Sequence, residues 1–308
     1  MSSEFEPVYL KLHRSGELKR RAEYLWSLME KCWLCPRKCL KNRNKGEKGT
    51  CNATSHLKIS SYNPHYGEEI PLVGTSGSGT IFFTNCGLRC VFCINCEISI
   101  EGQGMNYSID NLVSMMLKLQ DMGCHNINVV SPTHYSPHIL KGLDIAAASG
   151  LRLPLVYNTC GWERKEILEK LDGVVDIYLA DFKYYDSKMS NKYSSKAITY
   201  PEITKTALIE MNRQTGVAKP DKHGIMQRGL MIRHLVMPNN VSGTMDVIDW
   251  IAKNLPKDTY VNLMAQFRPY YKSNQYPEIV RSITREEYEC SVAYARKKGL
   301  SNLDIQGY

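Results

Sequence analysis

Three cysteines lie within eight residues, Cys86, Cys90 and Cys93, directly after the apolar, strand-like run 81–83. A regular strand or helix would point cysteines at this spacing in different directions, so a loop that gathers them around one centre is favoured. Cubane iron–sulfur clusters are usually held by four thiolates. Three thiolates leave one iron with an open position, which a catalytic metal centre needs. The triplet therefore predicts a catalytic iron–sulfur cluster at the end of a strand.

Spacing alone leaves two other interpretations of the triplet open. Cysteine is often buried, so the three side chains could be ordinary core residues. A zinc site is the stronger alternative, because Cys96 follows closely and could complete the four ligands that structural zinc requires.

The C-x3-C-x2-C motif resembles that of the radical S-adenosylmethionine (SAM) enzymes. The resemblance implies a [4Fe–4S] cluster whose open iron binds the amino and carboxylate groups of SAM. It also implies that the reduced cluster cleaves SAM to methionine and a 5′-deoxyadenosyl radical, which abstracts hydrogen. In such enzymes the cofactor carries the chemistry, and the protein supplies position and excludes water. A fourth ligand from Cys96 would block SAM, so the resemblance argues against zinc in the triplet.

The composition indicates a globular protein without a membrane partner. The 308 residues, 43% hydrophobic and 23% charged, are enough for one large α/β domain and an appendage. No run approaches the ~18 apolar residues of a membrane span, and residues 1–21 lack the apolar core of a signal peptide. Eleven cysteines in such a chain favour metal over disulfides. We expect a cytoplasmic protein that works at low oxygen.

From residue 79 onward the pattern alternates between strands and helices. We predict strands, rich in β-branched and aromatic residues as buried parallel strands are, at 80–84, 126–131, 154–159, 175–181, 230–237 and 260–267. We predict helices at 110–122, 137–149, 162–171, 202–215, 244–255 and 285–298. Six such units fit either a doubly wound sheet or an incomplete barrel. The resemblance implies the second, a partial (β/α)6 TIM-like barrel over residues 79–308.

Residues 1–78 are predicted to form an N-terminal extension with a helix at 17–31, a cysteine-rich segment and an irregular connector over 52–78. The segment offers four thiolates, enough for a closed metal site: Cys32, Cys35, Cys39 and Cys51. A second [4Fe–4S] cluster and a four-thiolate zinc ion both fit. Zinc usually prefers two C-x2-C pairs and only one is present, which favours the cluster slightly. A cluster would relay electrons or bind substrate, whereas zinc would only fold the N-terminus.

Polar residues follow each predicted strand, at the edge where parallel α/β folds place their active sites. The resemblance makes them, with one aromatic, candidates for SAM binding: Phe92, Ser131, Thr133, His134, Asn158, Asp181, Lys183, Arg233 and His234. It implies that Lys183 binds the SAM carboxylate and that Asp181 orients SAM, while a strand-end salt bridge is the simpler alternative. Arg233 and His234 interrupt an apolar strand, so they need partners such as Asp181 or a bound carboxylate. Cys160 is a candidate catalytic donor of a hydrogen atom or proton, although an inert buried thiol explains it as well.

Several stretches resemble the activating enzymes of glycyl radical enzymes, and more closely a branch of pyruvate formate-lyase activating enzyme homologues. They are 32–39, 67–72, 77–83, 88–93, 132–134, 157–159, 181–183 and 232–236. The chain departs from that branch at 94–96, where Gln-Asn-Tyr is expected, and at Cys160, where Ser or Gly is expected. Residues 131–134 also replace the Gly-Gly-Glu segment that holds the amino group of SAM.

The resemblance implies hydrogen abstraction from a protein or peptide substrate and an electron donor such as flavodoxin or ferredoxin. Radical modification of a small molecule or natural product is an alternative. A third is RNA modification, because residues 1–50 hold 12 Lys and Arg against 6 Asp and Glu, which is +6 of the net charge of +8. The four-cysteine segment would then bind the nucleic acid.

Overall fold

The computed structural model describes residues 5–305 as a mixed α/β fold around a mostly parallel sheet that does not close. The strands are β1 (Leu57–His65), β2 (Ser78–Phe83), β3 (Met105–Tyr107), β4 (Ile127–Val130), β5 (Leu155–Thr159), β6 (Ile177–Asp181), β7 (Lys219–Pro220), β8 (Met226–Leu235), β9 (Tyr260–Met264) and β10 (Leu303–Ile305). Their order is β10-β9-β8-β6-β5-β4-β2-β1-β3, with β7 beside β8. All pairs from β10 to β2 are parallel, whereas β1 is antiparallel to β2 and to β3.

Helices connect the parallel strands and flank the sheet. They are α1 (Tyr9–Arg14), α2 (Glu17–Ser27), α3 (Ile70–Val73), α4 (Cys96–Ser99), α5 (Ile109–Asp121), α6 (Ser136–Ala148), α7 (Lys165–Leu171), α8 (Ser187–Tyr193), α9 (Tyr200–Thr215), α10 (Thr244–Asn254) and α11 (Arg285–Lys297). None of those within residues 5–305 has the length and apolar character that crossing a membrane requires.

The predicted α/β alternation is confirmed. The six predicted strands correspond to β2, β4, β5, β6, β8 and β9, and the predicted helices to α2, α5, α6, α7, α9, α10 and α11, with ends that differ by a few residues. The strands were recognisable because runs of β-branched and aromatic residues suit a sheet that is covered on both faces. The division of the chain at residue 78 stays a prediction.

The connector at 52–78 is not irregular, and here the sequence prediction is wrong. Residues 57–65 form β1, which pairs along its length with β2 and extends the sheet beyond the parallel strands. Its sequence, Leu-Lys-Ile-Ser-Ser-Tyr-Asn-Pro-His, mixes apolar and polar residues and contains a proline, so it lacks the pattern of a buried strand. The strand forms because the main chain of β2, at the edge of the parallel strands, hydrogen-bonds with it. Local sequence does not reveal this pairing.

The segment after β1 packs on one face of the sheet. Leu72 of α3 is fully buried against a cluster of apolar side chains contributed by alternate residues of β5, β6, β8 and β9: Val156, Ile177, Leu179, Met226, Met231 and Tyr260. The opposite face of the same strands packs under the helices in the larger core. Residues 67–73, which we call the plug, therefore close the sheet on the side where the parallel strands begin.

We predict that Leu72→Ala lowers the free energy of unfolding by about 2–5 kcal/mol, the usual cost of truncating a buried leucine. Ile70→Ala, in the same short helix but 83% exposed, should change it by less than about 0.5 kcal/mol. Urea denaturation of the two variants tests this. Equal effects would mean that the plug does not pack as described.

Candidate functional site

A cleft of about 330 Å³ opens at the carboxyl ends of the parallel strands. Its size is typical of sites for small molecules and cofactors. One wall is the loop after β2, and the other is built from the ends of β4, β5, β6, β8 and β9. The predicted site residues that line it are Phe92, Ser131, Asn158, Asp181, Lys183 and Arg233, together with Cys86, Cys90, Cys93 and Cys160.

The triplet forms one edge of this cleft. Two non-glycine residues of its loop have left-handed backbone conformations, Asn85 with φ 72° and Arg89 with φ 50°, which turn the chain so that all three thiols reach the cleft. Main-chain bonds hold the loop, because Asn85 N donates to Ile98 O (3.0 Å) and Val91 N donates to Tyr193 O (2.9 Å).

Each thiol of the triplet has a polar neighbour suited to a thiolate. The Sγ of Cys90 lies 3.1 Å from the hydroxyl of Ser194, and that of Cys93 lies 3.1 Å from the hydroxyl of Ser99. The Sγ of Cys86 accepts from Leu88 N at 3.4 Å. A hydrogen bond from the Cys160 thiol lowers the pKa of Cys86 to about 6, whereas burial raises that of Cys90 to about 12.

A half-buried ion pair faces the triplet across the cleft. The Nζ of Lys183 lies 2.7 Å from Oδ2 of Asp181. Burial opposes the charge of Lys183, but Asp181 and the neighbouring thiols outweigh it and raise the pKa of the lysine. The lysine therefore carries a positive charge close to the three sulfurs, where it favours thiolates and can bind an anionic group.

The floor of the cleft is a second layer of charge that the sequence analysis did not find. Arg233 donates to Glu69 through Nε (2.7 Å) and Nη2 (2.9 Å), and it also pairs with Glu68. Side-chain amides complete the layer, with Asn262 donating to Glu69 at 2.9 Å, and Asn128 and Asn158 donating to Glu68 at 3.2 and 3.3 Å. Burial would raise the pKa of Glu69, but Arg233 overrides it and the pKa is lowered.

These contacts correct the expectation that Asp181 or a bound carboxylate pairs with Arg233. Its direct partners are Glu68 and Glu69 of the plug, which lie on the same face of the sheet as Arg233. The sequence shows two adjacent acids, Glu68 and Glu69, shortly before Pro71. Only the folded chain shows that they pair with Arg233 of β8.

His234 lies on the far face of β8, away from the cleft. Its Nδ1 contacts Phe182 O (2.6 Å) and its Nε2 contacts Thr244 Oγ1 (2.9 Å). The residue is fully buried, and burial lowers its pKa to about 4. Successive residues of a strand point to opposite faces, so Arg233 and His234 do not share a site, contrary to the expectation from the sequence.

Thr133 and His134 line a smaller cavity next to the cleft, which also borders Ser131, Cys86 and Cys160. His134 donates from Nε2 to Thr84 O at 2.9 Å, and burial lowers its pKa to about 3, so it is neutral near pH 7. Ser131 has φ 56°, a conformation that few non-glycine residues adopt and that persists where the surrounding structure holds it.

Glu163 is a buried carboxyl that the sequence analysis missed. It accepts from the hydroxyls of Thr133 and Thr159. Burial raises its pKa to about 7 from an ordinary value of 4.5. Glu163 follows the Cys160-Gly161-Trp162 turn, and no pattern in the sequence there marks it as a buried residue.

The four N-terminal cysteines come together beside the triplet. Leu40 N donates to Cys32 O and Cys32 N donates to Lys41 O, which folds the segment into a tight loop. Cys35 and Cys51 border the same small cavity as Cys86 and Cys160. Within residues 5–305 no three Cys, His, Asp or Glu side chains converge closely enough to hold a single metal ion. Thiolates of a cubane cluster each bind a different iron, so they surround a volume rather than a point.

Comparison with known proteins places the chain in a family. No protein-family model matches it. It is 32% identical over 301 residues to the uncharacterized protein MJ0674 of Methanocaldococcus jannaschii, with 94% of this chain and 80% of that protein covered. The chain belongs to the family of this archaeal protein. The aligned length spans both the N-terminal cysteine segment and the residues of the cleft.

We predict that Glu163→Gln flattens the pH dependence of stability. Between pH 4.5 and 7 the folded wild type holds a proton on Glu163 that the unfolded chain releases. Stability therefore falls as pH rises through this window, by about 3 kcal/mol for this carboxyl. Urea denaturation at pH 5 and pH 8 should show a smaller loss in the variant. The exposed control Glu169→Gln should behave as wild type, and an unchanged loss in Glu163→Gln would contradict the assignment.

Proposed function

We propose that this protein is a radical SAM enzyme, with a [4Fe–4S] cluster on Cys86, Cys90 and Cys93 whose open iron binds SAM. The observation that carries the proposal is that three thiols, each with its own polar neighbour, face one cleft whose opposite wall holds Lys183. Three thiolates and a nearby fixed cation suit a cluster with one open iron and an anionic ligand group. When bound, the cluster and SAM supply one-electron cleavage and hydrogen abstraction.

The side chains around the cleft have distinct tasks in this proposal. Lys183 binds the carboxylate of SAM and Asp181 holds the lysine in place. The main chain at Ser131, in its left-handed conformation, replaces the missing Gly-Gly-Glu segment in binding the amino group. Phe92 forms an apolar wall, since its ring lies 5.7 Å from that of Phe267 and 6.3 Å from that of Tyr184.

We infer that the open sheet is a partial (β/α)6 TIM-like barrel, with β1 and β3 added at one edge and β10 at the other. The packing of Leu72 on one face of the central strands and the convergence of polar strand ends on one cleft support this interpretation. The plug closes the end where the parallel strands begin, so a substrate enters from the side of the triplet. There the exposed Ile94 and Tyr270 offer an apolar rim for a peptide, as an activating enzyme would need.

The contacts of two N-terminal arginines favour a protein or peptide substrate over RNA. Arg37 and Arg43 donate to main-chain carbonyl groups inside the protein, so part of the basic excess is not available to phosphates. A small-molecule substrate remains the second candidate, because a cleft of this volume could hold one beside SAM. A flavodoxin or ferredoxin as electron donor, and a cytoplasmic, low-oxygen setting, belong to the same proposal.

The test is reductant-dependent release of 5′-deoxyadenosine from SAM by anaerobically reconstituted protein. We expect release by the wild type and a loss to background in Cys86→Ala, because the cluster loses a ligand. Cys290→Ala, which removes an exposed cysteine of α11, should keep both full iron content and full activity.

Cys160→Ala separates two roles of the thiol beside Cys86. If Cys160 acts on substrate or is inert, the variant keeps its iron. Loss of iron in Cys160→Ala would make it a fourth ligand and would contradict an open iron. Iron-loaded wild type that never cleaves SAM, with any reductant or peptide substrate offered, would contradict the proposed activity.

A further inference from the structure

Two arginines near the N-terminal cysteines carry charge without a carboxylate partner. Arg43 is 1% exposed and donates to Thr54 O (2.7 Å) and His134 O (2.6 Å). Arg37 is half-buried and also donates only to carbonyl groups. No ion pair in the described part of the chain includes either residue. A guanidinium is always charged, and charge withdrawn from water is costly unless it is compensated.

The groups that can compensate these charges are the cysteine sulfurs. The charge of Arg43 acts on Cys32 and Cys51. The charge of Arg37 acts on Cys35 of the N-terminal group, on Cys86 and Cys90 of the triplet, and also on Cys160. Thiols that bind metal do so as thiolates, and four thiolates leave a net negative charge around either a zinc ion or a cubane cluster. The two arginines therefore lie where their positive charge would offset the negative charge of metal-bound thiolates.

The two cysteine groups are in contact, and Arg37 lies at the contact. The Sγ of Cys35 lies 4.0 Å from the position that a Cβ on Gly87 would occupy, one residue from Cys86. Arg37 Nε donates to the carbonyl group of Gly87 at 3.0 Å. Arg37, two residues after Cys35, thus attaches the N-terminal cysteine segment to the loop of the triplet.

The guanidinium of Arg37 also contacts the other parts of the protein that surround the triplet. Its Nη1 and Nη2 donate to Ser195 O (2.6 Å) and Ser194 O (3.2 Å), and the Ser194 hydroxyl is the neighbour of Cys90. Its Cζ lies 4.7 Å from the centre of the Trp162 ring, two residues beyond Cys160. Three hydrogen bonds and one stacking contact define its position.

We propose that Arg37 is a positioning residue that joins the two cysteine groups into one centre. It holds the N-terminal group against the triplet loop and offsets the negative charge of the metal-bound thiolates of both. The inference rests on the proposed function, since it takes the triplet as a cluster site. Lysine would retain the positive charge and could still donate to these carbonyl groups, although without the planar fork, whereas glutamine would lose the charge.

The experiment compares full-length wild type, Arg37→Gln and Arg37→Lys after anaerobic reconstitution with iron and sulfide. Arg20→Gln is the matched control, because Arg20 is exposed on α2 and pairs with Glu17 of the same helix. Iron and zinc are counted, and reduction by dithionite is followed by EPR at the cluster whose signal changes when SAM is added. For Arg37→Gln we expect about a tenfold smaller ratio of reduced to oxidised cluster at fixed potential, a midpoint 59 mV more negative for one electron.

The lysine variant separates charge from mere structure. We expect Arg37→Lys to stay close to the wild-type midpoint, and if Arg37→Gln loses iron, we expect Arg37→Lys to retain it. Wild-type midpoint and metal content in Arg37→Gln would overturn the proposal, as would equal loss of metal from both variants. A wild type that binds no iron contradicts the proposed function itself, a result distinct from any difference among these variants.

Discussion

The charge layer of Glu68, Glu69 and Arg233 lies between an apolar cluster and the cleft on one face of the sheet. Below it, Leu72 and the apolar residues of the central strands form a core. Above it, the strand ends and the triplet enclose the cleft. Removing one partner of a buried ion pair of this kind typically costs 3–5 kcal/mol, so the plug is held by charge as well as by packing. The depth of the cleft follows from where this layer lies.

Three positively charged side chains lie close to the cysteines. Lys183 faces the triplet from the strand ends, Arg37 lies between the two groups of cysteines, and the charge of Arg43 acts on Cys32 and Cys51 of the N-terminal group. Each cation is held by fixed contacts, Lys183 through Asp181 and the arginines through carbonyl groups. A region prepared in this way favours an anionic occupant with little further rearrangement.

Much of the fold could be predicted from the sequence, because each parallel strand and its helix have a local signature. The clustering of polar strand ends also followed from topology alone, and Lys183, Asp181, Asn158 and Ser131 do meet. The strand β1 was missed because its pairing with β2 depends on a distant edge and not on its own composition. The error at His234 had a remedy in the sequence: alternation along a strand places neighbours on opposite faces, so only Arg233 could face the cleft.

The partners of the charged residues were beyond local inference. Glu68 and Glu69 precede Arg233 by more than 160 positions, and Glu163 meets its threonines only after two loops have folded. The four N-terminal cysteines were recognisable as a set, but the approach of Cys35 to Gly87 depends on how the extension packs. The partners of the charged residues in the site therefore depend on contacts between distant parts of the chain, which local sequence patterns do not predict.

The central claim is that Cys86, Cys90 and Cys93 hold a cluster with one open iron, and EPR spectroscopy of the reduced, reconstituted protein tests it most directly. Spectra are recorded before and after SAM is added, with Cys86→Ala and Cys290→Ala beside the wild type. The account predicts a [4Fe–4S]⁺ signal that changes on SAM binding in the wild type and in Cys290→Ala, and no such change in Cys86→Ala. A wild type in which no cluster signal responds to SAM, or a SAM-responsive signal that survives in Cys86→Ala, would contradict it.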